Sequence, residues 1–430
     1  MRCRHLGRAL VGRSGIDYSC SVQQHVSWDY SATLLRSFSP ARVTICDLTQ
    51  FYSPFSGGVR RYITEKASHL GMAGNRHVLI IPGEKTEKRM EGHRTIYTIE
   101  SPLISRTARY RVLLNLNLVE EALERERPSL IESGDPYQVA WKALASGRAL
   151  AIPTVGFYHS HFPEAVLRSV AKYFGSISVM MAQEIGQRYV TTLYNRFERT
   201  LVPSLGLSGL LRSWGLDNVE SLELGVDTEI FFPDAERGLV ARRRLGWPMD
   251  RQILLYVGRL NPDKNVRRLF EAFARLQESE SGRFHLAVVG DGMLRGALHR
   301  LEEETGDVSW IQFCNGSAEL ADIYRAADLF VHPGVKETFG LVTLESQACG
   351  TPVVGIRGSY MDAINFSGLH NWSVENNPEA LAGAIRTVAD QDLAVSGFRA
   401  SAFVGGCYGW NEVFGRLFAI YREVIASYNP

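Results

Sequence analysis

Cysteine is scarce and scattered in this 430-residue chain, with six residues (Cys3, Cys20, Cys46, Cys314, Cys349, Cys407) and no Cys-x-x-Cys pair. That pattern argues against a disulfide framework or a zinc site and fits reduced thiols in a cytosolic protein. Long apolar runs are missing too: nothing reaches the roughly 18 consecutive apolar residues of a membrane-spanning helix. No secretory apolar core stands near the N-terminus. Net charge is only +1, so nothing argues for a general nucleic-acid surface. Gly-x-Gly-x-x-Gly and its ribose-binding acid are absent, which removes the fingerprint of a nicotinamide oxidoreductase. No short-period repeat is evident.

What is present is ordinary globular composition, 45% hydrophobic and 22% charged, in a chain long enough for two domains. The most informative stretch is Asp328–Val354. Leu329-Phe330-Val331 reads as a buried strand, His332–Thr338 as a loop, and Val342–Cys349 as a helix that begins at Gly340 and stops at Gly350. Glu337 and Glu345 frame the unit, the second about two turns into the helix. Between them the N–H groups of Thr338, Phe339, Gly340 and Leu341 point out of the helix N-terminus, an anion site by construction. One anion cradle and two carboxylates suit a sugar nucleotide. By position Glu345 is better placed for the ribose diol and Glu337 for the sugar. The plain alternative is a surface Glu beside a Glu satisfied by helix-end N–H groups.

The rest alternates strand and helix. Near the start, Arg42–Asp47 is a buried-strand pattern, followed by Ser56-Gly57-Gly58 and a helix over Val59–Leu70. Strand, Gly-rich turn and helix form a phosphate-approach unit, because glycine lets backbone N–H groups come close; a simple tight turn is the alternative. Strands follow at His77–Ile81, Thr95–Ile99, Leu130–Glu132 and Pro153–Tyr158, with Leu201–Ser204 as the last of this domain. The alternation predicts a mainly parallel sheet with helices on both faces. The strand ending at Tyr158 runs into His159-Ser160-His161, where a ligand-facing His can donate to a sugar hydroxyl. His159 is the first choice and His161 the second; a metal reading lacks a third ligand. Arg106, Arg109 and Arg111 precede Val112-Leu113-Leu114, a surface that could touch an anionic membrane but is more often a solvated helix face.

After Pro248, Gln252–Val257 reads as a strand, and its end carries Arg259 and Lys264 just ahead of a helix striped with Val266, Leu269, Phe270, Phe273 and Leu276. Two cations there suit a pyrophosphate. His285–Val289 is the next strand, ending in Gly290-Asp291-Gly292, a turn that lets a base or ribose pack closely or has no ligand at all. Trp310–Phe313 and a helix over Glu319–Ala326 follow, then the central unit. Helices over Pro378–Ala389 and Trp410–Ile425 close the chain.

Glu337-Thr338-Phe339-Gly340-Leu341, then Glu345, then Ala348-Cys349-Gly350-Thr351-Pro352 together resemble the signature of glycosyltransferase family 4, group 1 type. The resemblance implies an α/β GT-B fold, two Rossmann-like doubly wound domains facing across a cleft. It further implies retention of anomeric configuration, no metal and no cofactor beyond the nucleotide-diphosphate sugar that serves as donor. By the same resemblance Gly57 and Gly58 face the donor phosphates, Arg259 and Lys264 bind them, Gly290 lies near the nucleotide, and a strand-end His, here His159, contacts the transferred sugar. Leu224–Asp227 and Phe231–Pro233 match the inter-domain connection, and the final helix is expected to cross back. Arg357–Asp362 departs from the Gly-Gly turn and Glu of many relatives, which bears on subfamily rather than activity.

The expected layout is an N-terminal extension over 1–41, Arg- and Ser-rich with only Asp17 and Asp29 as acids, an acceptor domain over 42–235, a donor domain over 236–407 and the crossing helix over 408–430. The expected function is a retaining hexosyltransferase that acts on a glycan, lipid or small molecule. It would be cytoplasmic, with peripheral contact at the inner membrane face as an option. Its catalytic residues are expected to be His159, Arg259, Lys264 and Glu337. The alternatives are a sugar-nucleotide epimerase of similar fold and a non-catalytic GT-B subunit; the four charged residues Arg259, Lys264, Glu337 and Glu345 speak against the second.

Overall fold

The computed structural model describes residues 42–52, 58–104, 110–159, 181–314, 316–358, 360–368 and 372–429. The expectations for the 1–41 extension and for Gly57, Arg106, Arg109 and His161 lie outside the described residues.

The first sheet holds β1 (Thr44–Leu48), β2 (Arg76–Gly83), β3 (Glu87–Glu91), β4 (Arg94–Glu100), β5 (Leu130–Ser133), β6 (Thr154–Phe157), β7 (Arg199–Val202) and β8 (Val219–Ser221). Their order is β3-β4-β2-β1-β5-β6-β7-β8. All pairings are parallel except that of β3 with β4. The second sheet holds β9 (Gln252–Val257), β10 (Phe284–Val289), β11 (Val308–Ile311), β12 (Leu329–His332), β13 (Val353–Ile356) and β14 (Trp372–Ser373). It is parallel throughout, in the order β11-β10-β9-β12-β13-β14.

Both sheets are doubly wound, and in each the strand order reverses beside the first strand. In the first sheet the reversal falls between β1 and β5, and in the second between β9 and β12. Strands buried on both faces read as continuous apolar runs, which is why β2, β9, β10 and β12 stand out in the sequence. Two sheet edges and one helix depart from expectation. β3 is a charged strand, Glu-Lys-Arg-Met-Glu, with every residue exposed; an edge strand needs no apolar face, so no alternation marks it. β8 follows β7, so the strand at Leu201 is not the last of its sheet. The helix Leu393–Cys407, rich in small residues, seats Gly397 against the Gly350 carbonyl.

The chain leaves the first domain at Val226 and returns at Gly409, and the two crossings pair. Val226 N–H donates to the Tyr408 carbonyl at 2.8 Å, and Trp410 N–H to the Val226 carbonyl at 3.2 Å. The returning helix, Trp410–Ser427, then packs on the helix Gly58–Met72 of the first domain. That seam covers a charged group. Lys66 is 0% exposed. Its Nζ donates to Asp47 Oδ1 at 2.6 Å, Glu132 Oε1 at 2.8 Å and the Tyr421 hydroxyl at 3.1 Å. Tyr421 also donates to Glu132 Oε2, and His77 Nε2 meets Asp47 Oδ2 at 2.6 Å. Burial favours neutral Lys66, but the two carboxylates outweigh it and hold the ammonium above its ordinary range.

Removing the cation from such a cluster leaves carboxylates buried and unpaired. Lys66→Met is expected to cost about 3–5 kcal/mol in urea unfolding. A loss below about 1 kcal/mol, as for an exposed pair, would show that the carboxylates reach water.

Candidate active site

The carboxyl ends of the strands in both domains open on one cavity of about 290 Å³, lined by Gly58 and His159 from the first domain and by Gly258, Lys264, His332, Glu337 and the run Thr338–Val342 from the second. Strand reversal leaves a crevice at this end of each sheet.

Two helix N-termini meet here. The helix Leu341–Ala348 begins after Gly340, whose φ of +97° is left-handed. A Cβ at that position would be strained and would lie 3.0 Å from Met361 Sδ. Glycine therefore lets the chain turn sharply and aim Leu341 N–H and its neighbours outward. Opposite stands the N-terminus of the Gly58–Met72 helix. A Cβ on Gly58 would touch Leu341 Cδ1 at 3.4 Å, so the two helix ends lie across the cleft from one another. Both carry partial positive charge.

Lys264 follows the strand β9 through a 3₁₀ turn, Pro262–Lys264. The next residue, Asn265, is left-handed and anchors the turn by donating to the Pro333 carbonyl at 2.8 Å. Lys264 Nζ donates to Glu337 Oε1 at 2.5 Å, and His332 Nε2 lies 3.8 Å from the same oxygen. Burial raises the Glu337 carboxyl, but Lys264 and His332 beside it outweigh that and hold it below its ordinary value. Arg259, next to the lining residue Gly258, is exposed, 3.4 Å from Asp263, and is not itself among the residues that line the cavity. Thr338 Oγ1 donates to the His159 carbonyl at 3.1 Å, tying the loop of one domain to the strand end of the other. Phe339 is buried, so its side chain is an anchor while its backbone lines the cavity.

His159 stacks on Phe157, rings 3.8 Å apart and 3° from parallel, with the Tyr62 edge at 5.3 Å. Its Nε2 is enclosed without a protein partner. Burial, and after it the Lys66 charge, push the imidazole down to about 3. The ring is therefore neutral at ordinary pH.

Two expected donor-site residues sit otherwise than a cavity-lining role requires. Gly290 has φ +132°, and its Cβ would meet the Gly258 carbonyl at 2.0 Å. Its N–H goes to Ile311 and its carbonyl accepts from Trp310 Nε1, so close packing of β9 and β10 alone demands glycine here. Glu345 is 2% exposed. It accepts from the Tyr324 hydroxyl at 3.2 Å and is ion-paired with Arg61 of the first domain. Sequence reasoning passed over Arg61, Tyr324 and His332, since nothing local marks them. Arg111 is drawn into the protein, donating to the Ser101 carbonyl at 2.7 Å and to Glu84 at 2.9 Å, and Leu113 is core. The basic surface expected there is thus partly internal.

Among the described residues no three His, Cys, Asp or Glu side chains group as a metal site, and no helix is long and apolar enough to cross a membrane.

Two facing α/β domains with an anion-binding cleft define the GT-B class of glycosyltransferase. The architecture is shared with sucrose-phosphate synthase from Thermosynechococcus elongatus (TM-score 0.71, 20% identity, 90% of this chain and 100% of that one). It is shared too with Anabaena HepE in complex with UDP and glucose (TM-score 0.68, 16% identity, 89% and 100%). In sequence, residues 56–230 match the Glycosyltransferase Family 4 model, and residues 240–397 the Glycosyl transferases group 1 model. A GDP-mannose-dependent alpha-(1-6)-phosphatidylinositol dimannoside mannosyltransferase of Mycobacterium tuberculosis is 30% identical over 81% of this chain and 88% of that protein. A GDP-mannose-dependent alpha-mannosyltransferase of Corynebacterium glutamicum is 29% identical over 90% of each. The chain belongs to the family 4, group 1 glycosyltransferases, and is an enzyme of that class.

The His159 environment sets a pH test. Its folded pKa is depressed, so protonation opposes the native state, and any stability lost through it is lost as pH falls below the ordinary histidine range. By NMR the ring is expected not to titrate between about pH 5 and 8. A midpoint near about 6.5 would show a solvated ring.

Proposed function

We propose that the enzyme transfers mannose from GDP-mannose to a hydroxyl of a sugar- or inositol-bearing acceptor, with retention and without a metal. The observation that carries the reading is one cavity on which two helix N-termini and Lys264 converge. The names of the relatives supply the donor base and sugar, since the Mycobacterium and Corynebacterium proteins are both GDP-mannose-dependent.

In this reading the diphosphate lies between the helix ends of Gly58 and Leu341, beside Lys264 and Arg259. The ligand-free Lys264–Glu337 pair is then divided: the ammonium goes to phosphate and the carboxylate to sugar hydroxyls. Neutral His159 donates to the sugar from the other side, and Glu345 holds the ribose. When the bond between the anomeric carbon and the phosphate oxygen breaks, negative charge grows on the leaving diphosphate, where the two cations and the helix ends stabilise it. The acceptor oxygen bonds to the anomeric carbon from the face the phosphate leaves, and its proton passes to a phosphate oxygen. Built-in positive charge fills the place of a divalent cation. Leu103, Ile104 and Leu114 form an exposed apolar loop region on the first domain, and a lipid-linked acceptor suits it.

The direct test is thermal stabilisation by GDP and UDP without added metal. GDP at a hundredfold excess over its Kd should add about 2.7 kcal/mol, and UDP much less. Equal response to both, or to neither, overturns the GDP assignment. Turnover of GDP-mannose should survive EDTA; its abolition would replace the metal-free mechanism. Lys264→Ala should lower kcat by about 100-fold with a smaller change in KM, because the charge it meets grows in the transition state. A loss confined to KM would place Lys264 in ground-state binding alone.

A further inference from the structure

Arg61 belongs to the first domain, in the first turn of the Gly58–Met72 helix; Glu65 of the same helix and Asp227 of the connection act on its charge, but its ion pair and its side-chain hydrogen bond both reach the second domain. Its Nη1 is ion-paired with Glu345 Oε1. Its Nη2 lies 3.5 Å from Ser317 Oγ. Its guanidinium sits 5.8 Å over the ring of Phe231, in the segment that joins the domains. Glu345 is so enclosed that a carboxylate there is costly unless a cation and hydrogen bonds satisfy it. The Tyr324 hydroxyl, on Oε2, supplies one neutral hydrogen bond, and Arg61 supplies the charge. Neither Arg61 nor Glu345 is among the residues that line the cavity. Whatever it does for a ligand, it does through Glu345.

We propose that Arg61 is a positioning residue lent by the first domain, which fixes the Glu345 carboxylate to receive a nucleotide ribose diol. The inference rests on the ribose role of Glu345 given above. An arginine suits the task because its planar fork can hold a carboxylate and a neighbouring hydroxyl at once, which a single ammonium does less well. Glu345 and Ser317 are the groups so held.

The test is calorimetric binding of GDP and of 2′-deoxy-GDP to the full chain and its variants. Wild type should prefer GDP by about tenfold or more, the effect of one hydrogen bond to a charged group. Arg61→Met should weaken GDP by about tenfold and bring the preference over the deoxy compound close to one. Glu345→Gln should behave in the same way, and the double variant should be no worse than either single one, because the two residues act as a unit. Inorganic pyrophosphate should bind all variants equally; a merely structural role would not leave phosphate binding intact while erasing ribose discrimination. Should Arg61→Met fail to fold, Arg61→Gln keeps length and hydrogen bonding without charge and carries the same expectation. Wild-type discrimination in the Arg61 variant overturns the proposal. So does tighter GDP binding, which would make the ion pair a latch that the nucleotide must break. If wild type binds no GDP, the functional reading fails first and takes the inference with it. If wild type discriminates and the Arg61 variant still does, only the inference falls.

Discussion

The chain crosses its own cleft twice, and the two crossings are bound to each other. The Val226 backbone is held on both sides by the returning strand at Tyr408 and Trp410. Gly225 is there because any side chain would run into the Trp410 ring, 2.6 Å away. This paired hinge fixes which edges of the sheets face one another. With it in place, the carboxyl ends of β6, β9 and β12 look into one space, and the rest of the site depends on that.

The hinge would hold little without its far end. The last helix is tied to the first domain through Tyr421, which completes the hydrogen bonds of buried Glu132 and Lys66. Tyr62, in the same cluster, packs its ring on Phe157 and His159. A charge buried for the sake of the fold thus borders the cavity, and its positive sign helps keep the histidine neutral. Structural and functional electrostatics here share one desolvated patch.

Charge in the cleft is arranged in pairs. Lys264 sits on Glu337, Arg259 near Asp263 and Arg61 on Glu345. Pairing offsets the cost of these ions in a low dielectric, where a lone ion is costly. The helix ends are the exception, since their partial charges come from the backbone and need no counter-ion to persist. They give the site a standing positive bias whatever the side chains are doing.

Much of this was legible along the chain. The Glu337–Glu345 unit, the helix ends at Gly58 and Gly340, the Arg259–Lys264 turn and His159 at its strand end all follow from local rules. Glycine marks turns, apolar runs mark buried strands, and strands carry their ligands at their carboxyl ends. The charged edge strand Glu87–Glu91 was not legible, because an exposed edge obeys no apolar pattern. Nor was the helix Leu393–Cys407, whose small residues record only close packing on a distant turn. At Gly290 the need for glycine comes from a neighbouring backbone carbonyl, a contact no local rule reveals.

The sequence by itself determined the two α/β domains, the position of the glycine turns that open the helices at Gly58 and Gly340 and the identity of the charged groups, since these depend on residues a few positions apart. Tertiary structure alone decided which charges meet. Lys66 with Tyr421, Thr338 with His159 and Arg61 with Glu345 are hundreds of residues apart in the chain. Their pairing depends on where the double crossing places one domain against the other, and on burial, which makes an unpaired charge too costly to leave alone.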